Sequence, residues 1–85
     1  MARRVTYSVH FEVKLEAIPD GPRQEIRRTV QQIVDVVSTI PGSSPFWSSM
    51  KDSLLQVDVQ GWRLVYRILP DRREVRVTEL EAIRR

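Results

Sequence analysis

Leu55-Gln56-Val57-Asp58-Val59-Gln60-Gly61-Trp62-Arg63-Leu64-Val65-Tyr66-Arg67-Ile68 is the stretch that decides the fold. Leu55, Val57 and Val59 alternate with Gln56 and Asp58. A period of two sends successive side chains to opposite faces of a strand. Gln60-Gly61 interrupts the run with the residue types of a tight hairpin turn. Beyond it Trp62, Leu64, Tyr66 and Ile68 share one face, and Arg63, Val65 and Arg67 share the other. Strands over 54–59 and 62–69 therefore fold back on each other. One face is apolar and makes Trp62 and Tyr66 core residues. The other carries arginine.

The pattern extends in both directions. Downstream, Pro70-Asp71-Arg72-Arg73 reads as a second turn. A strand over 74–80 follows, with Val75 and Val77 on the apolar face and Arg76 and Thr78 opposite. Upstream, Ile26, Val30, Ile33, Val37 and Ile40 form one stripe at helical spacing, with Val34 and Val36 beside it. This predicts a helix over about 22–39. Asp20 or Gly21 would cap it, and Pro22 suits the first turn. So many β-branched residues make a weak helix on propensity alone, so packing must hold it. Pro41-Gly42-Ser43-Ser44-Pro45 ends it and leaves Phe46 and Trp47 in a serine-rich loop, plugging the core edge. Nearer the N-terminus, Val5 to Ala17 alternates polar and apolar, which predicts a strand as far as about Phe11.

The order strand, helix, strand, strand, strand predicts an α+β fold. A small antiparallel sheet of about four strands carries one main helix on one face. The first strand adds at an edge or beside the last. The open face then holds Gln56, Asp58, Arg63, Arg67, Arg76 and Thr78. Arg63 and Arg67 are its expected anion site.

Composition sets bounds on function. Eighty-five residues make a single domain over 1–85. Fourteen basic residues against eleven acidic ones leave a net charge of +3. Only Lys14 and Lys51 among the basic residues are lysine. Arginine's planar fork suits phosphate, although a GC-rich genome produces the same bias. The absence of cysteine excludes disulfides and thiolate metal sites. His10 is the lone histidine, which removes His-pair metal motifs. No cofactor or metal is expected. No run reaches the ~18 apolar residues of a membrane span, and the N-terminal region lacks the apolar segment of a secretory signal. The expectation is a cytoplasmic protein without a membrane partner.

The segment 55–68 resembles the signature of the RelE/ParE toxin superfamily. That signature runs from an apolar-alternating strand into Gly-aromatic-Arg-aliphatic-Val-Tyr, here Gly61-Trp62-Arg63-Leu64-Val65-Tyr66. Val75-Arg76-Val77-Thr78-Glu79-Leu80 is similar to the family's last strand and Tyr7-Ser8-Val9-His10-Phe11 to its first. Met50-Lys51 lies where members often carry a Lys-Leu pair. The resemblance covers nearly the whole chain. It implies the toxin of a type II toxin–antitoxin pair, held inactive by a cognate acidic antitoxin. RelE-like members cut messenger RNA in the ribosomal A site; ParE-like members inhibit DNA gyrase without a nuclease site.

In the nuclease members the messenger's own 2′-hydroxyl is the nucleophile. The protein must help deprotonate it, stabilise the phosphorane and protonate the leaving oxygen. The resemblance gives charge stabilisation to Arg63. His10 and Asp58 complete the candidate catalytic set, and Lys51, Arg67, Arg76, Arg84 and Arg85 are candidate RNA contacts.

The chain also departs from the nuclease pattern. Nuclease members place lysine, glutamate or histidine on the strand where this chain has Leu55-Gln56-Val57-Asp58. They carry a histidine, tyrosine or Lys-Arg near the C-terminus. This chain has Ala82-Ile83-Arg84-Arg85, and arginine titrates too high to exchange protons at neutral pH. Asp58 and Glu79 equally fit as charge partners of arginines, and His10 as a surface residue. Three readings stand: a ribosome-dependent mRNA endoribonuclease, a toxin-fold protein directed at gyrase or with a decayed site, and an unrelated basic sheet module. In the first two a disordered acidic antitoxin segment would fold over the basic surface, which includes Arg23, Arg27 and Arg28.

Overall fold

Gln60 and Gly61 both adopt positive φ, 45° and 84°. That is the two-residue turn whose twist matches paired strands, and glycine takes the second position without strain. In the computed structural model, which describes residues 6–50 and 53–83, this turn joins β2 (Leu55–Val59) to β3 (Trp62–Leu69). A short 3-10 turn, Pro70–Arg72, leads into β4 (Glu74–Ala82). The remaining elements are β1 (Ser8–Phe11), a short 3-10 turn over Leu15–Ala17, α1 (Asp20–Ser38) and α2 (Phe46–Met50). The strands lie in the order β1-β4-β3-β2. The fold is the expected α+β arrangement of four strands and one main helix. One pairing differs. β1 takes the edge beside β4 and runs parallel to it, so the sheet is mixed. The intervening α1 supplies the crossover that a parallel pair requires.

β4 contains the feature that the alternation did not announce. Val77 pairs with Tyr66 but Glu79 pairs with Val65, so one extra residue is accommodated there as a β-bulge. The Thr78 hydroxyl donates to the Val65 carbonyl at 3.3 Å. The bulge resets the phase of the strand. Leu80 now pairs with buried Leu64, and Glu79 and Glu81 pair with Val65 and Arg63 on the open face.

The core lies between α1 and the inner sheet face. Ile26, Leu64, Val75 and Val77 are fully enclosed, and Val30, Val34 and Val37 lie against them. Each such side chain contributes roughly 1.5–3 kcal/mol by leaving water. Val34, expected beside the stripe, is buried, and Ile33 is only partly so. The helix is therefore rotated toward Val34. Ile33, Val36 and Ile40 turn to a groove beside β2, and Val36 is 62% exposed. The helix also begins at Asp20, ahead of Pro22, with Pro19 as its N-cap. Gly21 and Pro22 fit within its first turn because the N–H groups there have no helical acceptor. The Ser38 hydroxyl donates to the Val34 carbonyl and accepts from the Tyr7 N–H, tying β1 to the end of α1.

Two other expectations need correcting. Phe46 and Trp47 open the short helix α2. The Ser44 hydroxyl accepts from the Phe46 N–H at 3.2 Å and so stabilises that start. Trp62 and Tyr66 point to the inner face as expected, but both are only half-buried. Trp62 lies at the hairpin end, opposite exposed Ala82. Tyr66 borders the groove.

Candidate functional site

The register assigns the open face row by row, since directly paired residues share a face. The first row runs Asp58, Arg63, Glu81 across β2, β3 and β4. Arg63 Nε donates to Asp58 Oδ1 at 3.1 Å. This hydrogen bond and the charge of Asp58, with Glu81 adding on the other side, raise the guanidinium further above its already high pKa. The second row is Gln56, Val65, Glu79. The third is Arg67, Arg76, His10 across β3, β4 and β1. Arg76 has its own carboxylates: Glu74 Oε2 at 2.8 Å and Glu12 Oε1 at 3.4 Å. Arg67 has no ion-pair partner among the described residues.

Of the three candidate catalytic residues, the fold brings Arg63 and Asp58 together and leaves His10 apart. Four residues along β3 and two strand spacings separate His10 from Arg63, roughly 16 Å. Among the RNA-contact candidates, Arg67 and Arg76 are directly opposed, a repulsive pairing that the carboxylates around Arg76 relieve. Lys51, Arg84 and Arg85 lie outside the described residues.

Glu79 and Glu81 change the character of this face. Ordinary alternation from Val77 would have placed Glu79 toward the core and left Asp58 as the carboxylate nearest Arg63. A signal was present: apolar Val75, Val77 and Leu80 are spaced two and then three apart, which is how a bulge reads in a half-buried strand. With the bulge, the described part of the face carries Glu12, Asp58, Glu74, Glu79 and Glu81 against Arg63, Arg67 and Arg76. Its balance is acidic although the chain is basic. No group of three or more acidic or histidine residues placed to hold a metal ion occurs among the described residues.

The groove on the other side of the sheet is apolar. Ile33 and Val36 of α1, with Ile40 just beyond its end, face Phe46, Met50 and Leu55 across about 430 Å³. β2 borders it as an edge strand whose outer backbone groups have no strand partner among the described residues. Tyr66 lies along it, and burial raises its phenol pKa above the usual 10.0. No described helix is long and apolar enough to cross a membrane.

No family model matches the chain, and no curated protein matches it in sequence. Among solved structures it is similar to the E. coli toxin RelE in the free state, a mutant with two arginines replaced by alanine. The TM-score is 0.62 at 16% identity, over 91% of this chain and 83% of that one. At this identity the likeness is one of fold, and the fold is RelE-like.

Proposed function

We propose that this chain is the toxin of a type II toxin–antitoxin pair, and that it disables its target by binding through the open sheet face rather than by cutting RNA. The RelE-like fold and the Gly61–Tyr66 segment support the toxin reading. The Asp58, Arg63, Glu81 row carries the mode of action. A scissile phosphate gains negative charge as it reacts and needs a cation poised to receive it. Here carboxylates flank that cation on both sides and repel an incoming phosphate. The histidine of the candidate catalytic set also lies roughly 16 Å from Arg63. Among the described residues this face is of mixed charge with an acidic balance, which suits a protein target, as in gyrase-directed members of the superfamily.

The cognate antitoxin is an acidic segment whose apolar side chains fill the groove between α1 and β2. It can pair its backbone with the β2 edge, and its acidic character suits the chain's net charge of +3. A second reading, ribosome-dependent mRNA cleavage, keeps one observation in its favour. Arg63 stands where the resemblance puts the phosphate-stabilising arginine, and Arg67 on the same strand face has no ion pair among the described residues.

Induction of the chain alone, with primer extension on abundant transcripts and a gyrase supercoiling assay, separates these outcomes. Growth arrest with intact transcripts, relieved by co-expression of the small acidic product of the adjacent gene, is the expected result. Cleavage within codons that is lost in Arg63→Ala would establish the second reading. Harmless expression without such a neighbour would overturn both.

A further inference from the structure

A cleft between the start of α2 and the turn joining β3 to β4 lies well away from the open-face row. Six residues of β3 separate Leu69 from Arg63, roughly 20 Å. The cleft holds about 430 Å³, within the range of small-molecule sites, about 300–1,000 Å³. Ile68 and Leu69 line it with aliphatic carbon, and the Trp47 indole and Pro70 ring add two flat apolar surfaces. Ser48, Asp71 and Arg72 bring a hydroxyl, a carboxylate and a guanidinium to the same space.

The walls are set before a ligand arrives. The Trp47 ring stacks on Tyr7 at 5.8 Å with the planes 1° apart. Phe46 meets it nearly perpendicular at 5.1 Å. Its Nε1–H donates to the Pro41 carbonyl at 2.8 Å. On the other side, the Arg73 N–H donates to the Pro70 carbonyl at 3.1 Å, and the Arg73 carbonyl accepts from the Ser8 N–H at 2.9 Å. A preorganised aromatic wall loses little entropy on binding. Yet Asp71 and Arg72 themselves stand exposed and make no ion pair among the described residues. An aromatic wall with an unengaged acceptor and an unengaged cationic fork is a recognition set for one kind of molecule.

We propose that this cleft binds a nucleotide whose base carries an exocyclic amine, with adenine the type case. The base stacks against Trp47, as bases do on aromatic platforms. Asp71 accepts from the exocyclic amine, Ser48 serves a ring nitrogen as donor, and the Arg72 fork takes the phosphate. Asp71 also repels a bare polyanion, so base and phosphate are read together. The same chemistry is presented by a free mononucleotide and by an unpaired residue of RNA. The site does not depend on the chain being a toxin.

Trp62→Phe leaves Trp47 as the sole indole of the chain, so its fluorescence reports on the cleft. The indole N–H resonance of Trp47 in the unsubstituted protein gives the same readout should that variant misfold. AMP, adenosine, IMP and a short adenine-rich RNA are the probes. Saturable change with AMP is expected, weakened roughly tenfold on loss of the phosphate, of the amine (IMP), or of the Arg72 side chain in Arg72→Ala. In Asp71→Ala, AMP and IMP should become equivalent. Tighter binding of the RNA with the same Arg72 and Asp71 dependence identifies RNA as the source; tighter binding of AMP identifies the mononucleotide. No saturable response to either probe, or a response indifferent to Arg72→Ala, overturns the proposal.

Discussion

The two faces of this sheet are built from the same strands yet obey different rules. On the inner face Leu64, Val75 and Val77 are 0% exposed, and the requirement is volume and apolarity. On the outer face Asp58, Arg63, Glu79 and Glu81 form a charge pattern in which no single residue sets the character. Inner positions answer to the nearest packing neighbours. Outer positions answer to which residue lies opposite, and one bulge alters that for the whole end of β4. The inner face therefore tolerates little substitution, whereas the outer face can exchange its charge sign with little harm to the fold.

Neighbouring residues of β3 give the sharpest way to break this contrast. Leu64→Ala should destabilise by about 2–5 kcal/mol, through lost transfer energy and the cavity left behind. Arg63→Ala, one residue away, should leave stability nearly unchanged, since its ion pair with Asp58 is exposed. Urea denaturation of the two variants measures both; similar losses would mean that the faces are not distinct. Trp62→Ala comes next. Its ring is half-buried at the hairpin end of the sheet, so a loss of about 1–3 kcal/mol is expected, below that of Leu64→Ala. A larger loss than Leu64→Ala would place the centre of the core at the hairpin.

Charge neutralisation sharpens the outer face. The double variant Asp58→Asn, Glu81→Gln releases Arg63 and removes two repelling carboxylates. Its affinity for single-stranded RNA should rise roughly tenfold at low salt, with a steeper salt dependence. Unchanged affinity and slope would show that the row does not govern anion access.

The smallest effect concerns the rim of the inner face. Burial raises the Tyr66 phenol above 10.0, so the folded chain keeps a proton that the unfolded chain sheds as pH passes that value. Unfolding then releases a proton, and stability falls as pH rises through the folded-state pKa. Tyr7 is shifted the same way by burial, with Arg73 opposing. Denaturation at pH 9 and pH 11 should show a shallower decline in Tyr66→Phe than in the unsubstituted chain. An equal decline would remove Tyr66 as a contributor.

The inner face was legible in the sequence because period two in 55–68 and period near 3.6 in 26–37 each report which residues avoid water. Leu64, Ile68, Val75 and Val77 follow directly. The helix was legible as an element but not in its rotation. Val34 and Ile33 are equally apolar, and only the sheet beneath decides between them. The outer face was readable up to Val77. Past it, alternation assigned Glu79 to the wrong side, because a bulge changes backbone phase without a dedicated residue type. The parallel placement of β1 was open for a related reason. Alternation gives a strand its faces but not its direction beside a neighbour. The cleft at Trp47 required contacts between segments some twenty residues apart, Trp47–Ser48 with Ile68–Arg72, and no local pattern encodes those.

The extra residue at Thr78 also affects how roles can be inherited by position. A relative whose last strand runs without the bulge is one residue shorter there. Matched to it without a gap, Val75 and Val77 would be paired correctly. Glu79, Leu80 and Glu81 would each be set against a position on the opposite side of the sheet. An acidic outer residue would then be equated with a buried aliphatic one, and Leu80 with a solvent-facing group. Removing Thr78 leaves the order Val75-Arg76-Val77-Glu79-Leu80-Glu81, which alternates in phase throughout. The chain therefore carries within its last strand a one-residue length difference that decides whether its surface residues are compared with their true counterparts.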